Sequence, residues 1–357
     1  MPETDFFRGR RVLVTGHTGF KGAWLSLMLL RAGAELTGYA LEPESDPNLY
    51  TLLHLEREMR SVIGDIRDSD SLMRVVSQAK PEIVLHLAAQ PLVRESYRLP
   101  RDTFEINALG TVNLLECVRR SDAVRSFLNV TTDKVYRNDE RNVAFRESDA
   151  LGGYDPYAAS KACSEIATQS YRSSFLEDRG VAISTARAGN VIGGGDFSQD
   201  RILPDCIRSA MNHTAIAVRN PDSVRPYQHV LDPLDCYLTI VGKQFGNPAL
   251  AGSYNIGPDA ADCVSTGALA TLFCQAWGEG TRWEHRSDGG PHEAKFLQLD
   301  CGLFQTRFGW KPRWHIGEAV CRTVEWAKTY RDGGDVHACM LSQIDAFYNT
   351  VQEKPDV

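Results

Sequence analysis

Val12-Leu13-Val14-Thr15-Gly16-His17-Thr18-Gly19-Phe20-Lys21-Gly22 is an apolar run that enters glycines spaced three apart and leaves them into a second apolar stretch, Ala23 to Ala32. The first run has the length and residue types of a buried strand, and the second is long enough for a helix. Glycines at such a turn let backbone N–H groups and a helix N-terminus approach a pyrophosphate without interference from a Cβ. A glycine triplet by itself signals only a tight strand-to-helix turn. With the strand before it and the helix after it, the segment is expected to bind a dinucleotide through Gly16, His17, Gly19, Phe20, Lys21 and Gly22.

Beyond this unit, strands and helices alternate. Apolar, β-branched runs predict strands at Arg11 to Thr15, Glu35 to Ala40, Arg60 to Ile63, Ile83 to Leu87, Ser126 to Val130 and Ala182 to Arg187. Amphipathic stretches at Asp70 to Ala79, Thr103 to Arg120 and Tyr157 to Glu177 predict helices between them. The fold class expected is α/β, a Rossmann-like doubly wound parallel sheet wrapped by helices. Ligands in such sheets sit beyond the carboxyl ends of the strands, where Gly16, Asp65, Ala88, Thr132 and Ala188 all fall.

After Gly189 the pattern shifts to glycine-, proline- and arginine-rich loops such as Gly193-Gly194-Gly195, Arg219-Asn220-Pro221, Arg225-Pro226-Tyr227 and Pro291-His292-Glu293. A cofactor domain over residues 1–188 and a smaller substrate lobe over residues 189–357 are expected. Segments near 230–260, including the apolar Pro233 to Val241 and the strand-like Tyr254 to Ile256, are expected to return to the larger domain.

Composition narrows the class. The 357 residues are 43% hydrophobic and 24% charged, ordinary globular usage that excludes a disordered chain. A net charge of −7 argues against general nucleic-acid binding. The polar start, Met1 to Arg11, is no secretory leader, and Trp24 to Leu30 is too short to span a bilayer, so a cytoplasmic protein is expected. Nine scattered cysteines with no C-x-x-C pair read as reduced, mostly packing residues, and the histidines lack metal-ligand spacing, so no metal is expected.

Thr132, Asp133 and Lys134 close the fifth strand, and Tyr157 and Lys161 follow one helix-length later. A tyrosine and a lysine four apart share one helix face, so the ammonium can lower the phenol's pKa until the phenolate takes a proton from a sugar hydroxyl. By itself Y-x-x-x-K is common in helices, and a solvated pair is the bland alternative. The five residues together form a candidate proton-handling cluster.

T-G-x-x-G-F-x-G at Thr15 to Gly22, G-D-I-R-D at Gly64 to Asp68, H-L-A-A-Q at His86 to Gln90, Asn107, Y-x-x-x-K at Tyr157 to Lys161 and R-x-G-N at Arg187 to Asn190 together resemble the extended short-chain dehydrogenase/reductase family, over nearly the whole chain. T-T-D-K-V-Y at Thr131 to Tyr136, A-G-N-V-I-G-G-G-D at Ala188 to Asp196 and R-P-Y-Q-H-V at Arg225 to Val230 resemble its CDP-glucose 4,6-dehydratase subfamily. The resemblance implies that Gly16, Gly19 and Gly22 pass the pyrophosphate, that Asp65 and Ile66 frame the adenine, and that Ala88, Asn107 and Lys161 approach the nicotinamide. It implies NAD. One departure leaves NADP open: the second strand ends Gly38-Tyr39-Ala40-Leu41 without the acidic residue that usually meets the adenosine ribose, Glu42 comes two positions late, and Lys21 is available to a 2′-phosphate.

The subfamily resemblance also implies a reaction. Oxidation of a hexose at C4 acidifies C5, water leaves across C5 and C6, and the hydride returns to C6, giving a 4-keto-6-deoxy sugar for surface polysaccharide. Tyr157 would deprotonate the C4 hydroxyl, with Thr132 hydrogen-bonding the same oxygen and Lys161 holding the phenolate. Lys134 would take the C5 proton and Asp133 would protonate the departing hydroxyl. Related dTDP-glucose enzymes carry glutamate at the position of Lys134, and a lysine base must fall from about 10.4 toward 7; a structural or phosphate-facing cation is the alternative. Asn190 is expected at the sugar nucleotide, Arg201, Arg219 and Arg225 at a diphosphate, and Ser96 and Tyr97 at the sugar, whereas Cys163 and His229 are expected to pack. A nucleotide-sugar 4-epimerase and a non-catalytic cofactor sensor of the same fold are the competing functions. In the family, helices like Thr103 to Arg120 and Tyr157 to Glu177 pair across a two-fold axis, so a homodimer or dimer of dimers is implied.

Overall fold

A computed structural model of the chain describes residues 4–139, 143–287, 289–290 and 296–350; Pro291-His292-Glu293 lies outside the described residues. The strands are β1 (Arg11–Thr15), β2 (Glu35–Ala40), β3 (Arg60–Ile63), β4 (Ile83–His86), β5 (Ser126–Thr132), β6 (Ala182–Ala188) and β7 (Ser253–Ile256). They form one sheet in the order β7-β6-β5-β4-β1-β2-β3, with every pairing parallel. The order reverses between β1 and β4, which is where a doubly wound sheet opens a ligand crevice.

Among the described residues ten helices have seven to sixteen residues, and six of them need labels: α1 (Phe20–Arg31), α2 (Ser69–Ala79), α3 (Gly110–Arg119), α4 (Pro156–Tyr171), α5 (Ile202–Met211) and α6 (Leu231–Gly246). Alternating residues of β1 feed two cores, one on each sheet face: Val12 and Val14 join Trp24, Leu25 and Met28 of α1, while Leu13 joins Leu72 and Val76 of α2 and Leu114 and Val118 of α3. Each fully buried Leu or Met contributes roughly 1.5–3 kcal/mol of transfer free energy. α1 is therefore anchored along nearly its whole length, and the glycine turn before it is held in place.

Two helices depart from the uniform α-helices read in the sequence. The stretch from Pro100 to Arg119 is broken by a π-helical segment at Glu105–Leu109, and α4 passes into another at Arg172–Leu176. Single-turn π segments occur often at functional sites, and the first of these carries Asn107. α4 begins as its sequence dictates: the Asp155 carboxylate accepts the Ala158 N–H at 2.8 Å and Pro156 occupies the first turn. Tyr157 is thereby set at the very start of the helix.

β7 is a late return of the chain to the sheet edge, pairing from Ser253↔Thr185 to Ile256↔Ala188, and α6, which contains Pro233 to Val241, lies against β5 and β6. No helix among the described residues is long and apolar enough to cross a membrane. All nine cysteines are free; Cys117, Cys206, Cys236 and Cys301 are buried, but Cys163 is exposed on α4 and does not pack as expected.

Candidate active site

The glycine loop has the shape of a phosphate cradle. Gly16 has φ +78°, and a Cβ there would come within 2.8 Å of the Ala88 nitrogen, so the loops after β1 and β4 touch at the point where strand order reverses. A Cβ on Gly22 would lie 2.0 Å from the Gly16 carbonyl oxygen. Gly19, the N-cap of α1, supplies no side-chain cap, leaving the N–H groups of the first turn for an anion. These features fit a dinucleotide's pyrophosphate.

Two loop side chains do not go where the sequence placed them. The His17 imidazole is fully buried, with Nε2 2.7 Å from Ser61 Oγ and its ring so close to Gly38 that any Cβ there would collide with it. Burial lowers its pKa to about 4, so it is a neutral packing group and leaves only its backbone for a ligand. Lys21 lines the cavity described below, with Arg201, Lys161 and Asp133 as its charged neighbours. Its Nζ is 5.9 Å from the Tyr237 ring centroid. Burial, then the neighbouring Arg201 and Lys161 charges, lower its pKa to about 7.

Asp65, expected near an adenine, holds Arg67 through a pair as short as 2.6 Å, and its backbone carbonyl accepts the Tyr39 hydroxyl at 2.8 Å. Ile66 is buried. Asn107 is a bracket: its Oδ1 accepts the Gln90 N–H at 2.8 Å and its Nδ2 donates to Ser160 Oγ at 2.9 Å, tying the loop after β4 to α4.

The end of β5 and the start of α4 bring the proton-handling residues together on the wall of a cavity of about 750 Å³. Thr132 Oγ1 donates to Asp133 Oδ1 at 2.9 Å and accepts the Lys134 N–H at 3.4 Å, and Lys134 Nζ lies 3.6 Å from Asp133 Oδ1. Asp133 is buried and its Oδ2 has no hydrogen-bond partner among the described residues. Burial pushes the Tyr157 phenol up to about 12, with hydrogen bonding to Thr132 acting against it. Lys161 does not contact the phenol as the helix spacing suggested. It donates from Nζ to the Val130 carbonyl at 2.8 Å, and burial lowers its pKa to about 8. The sheet carbonyl captures the ammonium because Lys161 sits one turn deeper on α4 than Tyr157.

One part of the site escaped the sequence reading. Glu165, a further turn along the face of Tyr157 and Lys161, is buried; it accepts Thr131 Oγ1 at 2.5 Å and Thr185 Oγ1 at 2.8 Å and pairs with Arg187 at 2.9 Å. Arg187 also donates to the Tyr136 hydroxyl at 2.9 Å. This crossbar bolts α4 to β5 and β6 beside the candidate proton-handling cluster. The extension of Y-x-x-x-K to a glutamate four residues later was the available signal.

Of the substrate candidates, Asn190, Arg201, Arg219 and Arg225 all line the cavity. Asn190 Oδ1 is buried without a partner among the described residues, Arg201 pairs with Asp196 at 3.2 Å, Arg219 pairs with Asp200, and Arg225 is buried with Nη1 on the Val224 carbonyl at 2.9 Å. Ser96 does not reach the cavity: it is fully buried and its Oγ donates to the Val93 carbonyl at 2.6 Å. The segment Pro91 to Arg94 lines the cavity in its place, and Tyr97 is not part of the wall. His229 is buried between Trp24 and Trp314, as expected of a packing residue. Among the described residues no group of three or more His, Cys, Asp or Glu side chains is placed to hold a metal ion.

A family model described as GDP-mannose 4,6 dehydratase matches residues 13–323. The chain belongs to this family. It is 42% identical over 353 residues, 97% of its own length and 98% of the relative's, to a CDP-glucose 4,6-dehydratase of Salmonella typhimurium. A dTDP-glucose 4,6-dehydratase of Xanthomonas campestris pv. campestris is 26% identical, covering 89% of this chain and 93% of the relative. The fold matches a dTDP-glucose 4,6-dehydratase of Bacillus anthracis in complex with NAD (TM-score 0.77, 19% identity, 91% of this chain and 99% of the other). It matches equally a UDP-glucose 4-epimerase of Thermotoga maritima with UDP-glucose (TM-score 0.78, 21% identity, 89% and 99%). The fold alone thus serves both dehydratases and epimerases, and the side chains must separate them.

Proposed function

We propose that this protein converts CDP-glucose to CDP-4-keto-6-deoxyglucose and water, with NAD retained on the protein through the cycle. The observation that carries the proposal is the junction of Thr132, Asp133 and Lys134 with Tyr157 on one cavity wall. An epimerase needs the tyrosine and the cofactor, but has no task for an acid and a second amine beside the threonine. The family membership and the Salmonella relative favour the same choice, and the relative is what points to cytidine.

Gly16, Gly19, Gly22 and the first turn of α1 would hold the pyrophosphate, and Ala88, Asn107, Tyr157 and Lys161 would face the nicotinamide. When bound, NAD accepts the hydride from C4 and gives it back at C6. The protein's own residues handle the protons. Tyr157 takes the proton of the C4 hydroxyl, while the Thr132 hydroxyl orients that oxygen. Lys134 takes the proton from C5, made acidic by the adjacent carbonyl. Asp133, buried and with one oxygen unpaired, donates to the C6 hydroxyl so that it leaves as water, and Lys134 returns a proton to C5. A carboxylate 3.6 Å from Lys134 favours the ammonium, so Lys134 works as a base only while Asp133 is protonated. That coupling matches the roles.

The electrostatics favour NAD over NADP: Glu42 and Glu44 follow β2, Lys21 lines the cavity, and Arg67 is occupied by Asp65. Arg201, Arg219 and Arg225 would meet the diphosphate from the lobe after residue 189. A cytoplasmic location and assembly from two or more copies complete the proposal. For the assembly, Leu109 (57% exposed) and Ile166 (57%), with Phe175 (47%), leave apolar surface on the segments that would pair across a two-fold axis.

The test is incubation with NAD and, separately, CDP-, dTDP-, UDP- and GDP-glucose in D2O, followed by NMR. A 4-keto-6-deoxy product with deuterium at C5, formed best from CDP-glucose, supports the proposal. A C4 epimer without water loss moves the assignment to the epimerase.

A further inference from the structure

His86 ends β4 and is buried, as are its two side-chain partners, Thr15 at the end of β1 and Thr111 on α3. Its Nδ1 lies 2.7 Å from Thr15 Oγ1 and its Nε2 3.0 Å from Thr111 Oγ1. The hydrogens follow by elimination. The Thr111 hydroxyl commits its one hydrogen to the Asn107 carbonyl at 2.7 Å, a group that can only accept. His86 Nε2 must therefore carry a hydrogen and donate it to Thr111. Burial, then the Lys161 charge, lower the His86 pKa to about 3, so the ring is neutral and holds no second hydrogen. Nδ1 thus accepts from the Thr15 hydroxyl, whose oxygen in turn accepts the Ala88 N–H at 3.2 Å.

Every donor along this line points the same way: Ala88 N–H to Thr15, Thr15 to His86, His86 to Thr111, and Thr111 to the Asn107 carbonyl. The Asn107 side chain then closes the circuit on the loop where it began. Its Oδ1 accepts the Gln90 N–H at 2.8 Å and its Nδ2 donates to the Gln90 carbonyl at 3.1 Å. The loop after β4 is gripped at Ala88 from one side and at Gln90 from the other, with the imidazole between the two grips. In the proposed function, on which the next step rests, Ala88 and Asn107 face a nicotinamide. We propose that His86 is a positioning residue for that cofactor, a neutral imidazole held in its Nε2–H form that sets the loop from Ala88 to Gln90 against the glycine turn.

Imidazole suits this place because one ring nitrogen donates while the other, across the ring, accepts. An imidazolium would turn the Thr15 hydroxyl hydrogen away from Nδ1, and it would add a positive charge beside Lys161 and the cationic nicotinamide ring. The Phe127 ring, with its centroid 6.4 Å away, and the Ser164 hydroxyl, 3.1 Å from Thr111 Oγ1, pack around the line and bring no charge of their own.

Long-range proton–nitrogen correlation spectra of protein labelled with nitrogen-15 in its nine histidines read the tautomer directly. His86 should show Nε2 protonated and Nδ1 bare, unchanged from about pH 5.5 to about pH 8.5, a range in which an ordinary histidine titrates. An Nδ1–H form, or titration within that range, overturns the assignment. Calorimetric binding then tests the role. In Thr111→Val, which removes the acceptor at nearly constant volume, NAD affinity should fall roughly tenfold, whereas ADP, which has no nicotinamide, should bind as to wild type. Thr111→Ser, which keeps the hydroxyl, should recover NAD affinity. NAD binding in Thr111→Val equal to wild type, or equal losses for NAD and ADP, overturns the role. These measurements need no sugar: a wild type that binds NAD but converts no nucleotide hexose overturns the dehydratase reading and leaves the role of His86 standing, and one that binds neither NAD nor ADP overturns both.

Discussion

Replacing Lys21 with methionine should make the protein more stable, by an amount that depends on pH in a defined direction. Lowering a lysine from 10.5 to about 7 corresponds to about 5 kcal/mol at 1.36 kcal/mol per unit, as an upper bound. Lys21 borders an open cavity, where solvent screens the charge, so we expect a realised effect of about 1–2 kcal/mol. The sign follows from linkage. The unfolded chain holds the Lys21 proton up to about pH 10.4, whereas the folded protein releases it near 7. Folding therefore works against this group at low pH, and stability rises as pH climbs from about 7 to about 10. Urea unfolding at about pH 6.5 and 9.5 would measure it. Lys21→Met should gain the full 1–2 kcal/mol at the lower pH and lose most of that advantage at the higher one. An equal gain at both pH values, or a loss at the lower, would refute the placement of Lys21 among cations rather than on a phosphate.

Lys134→Met should still reduce bound cofactor with substrate yet lose about 10²- to 10⁴-fold in water elimination, read as accumulation of reduced cofactor in stopped flow; full turnover would remove Lys134 as the base. Tyr157→Phe should block the first oxidation by a similar factor, so that no reduced cofactor accumulates. Asp232 on α6 is buried with Oδ2 unpartnered among the described residues, and burial raises its pKa to about 8. The folded state therefore keeps a proton that the unfolded chain loses near 4, and stability falls as pH rises from about 4 to about 8. Asp232→Asn should flatten that decline in melting curves recorded across the range.

The sheet was legible because its strands are short apolar runs between glycine and polar breaks, and β1 to β6 fall within two residues of the ends read from sequence. β7 was visible only as a strand-like run, Tyr254 to Ile256, since its pairing with β6 depends on α6 lying across β5 and β6. Thr132, Asp133, Lys134 and Tyr157 converge because they close one strand and open the helix that packs on it. Helix spacing places Lys161 on the tyrosine's face, and the structure gives its ammonium a partner that spacing could not show, the Val130 carbonyl at 2.8 Å. His17 is held inward by Ser61 in the space beside Gly38, and Lys21, in the first turn of α1, lies over the Tyr237 ring; these partners are all distant in sequence. Ser96 turned inward because a serine inside a short helix satisfies itself on the preceding turn.

CDP-glucose carrying deuterium at C4 gives the most direct test of the central claim, an oxidation at C4 whose hydride returns to C6. After incubation with the NAD-loaded protein in ordinary water, the label should appear at C6 of the 4-keto-6-deoxy product, one deuterium per molecule. Deuterium recovered at C4, as in an epimer, or lost from the sugar altogether would contradict the account.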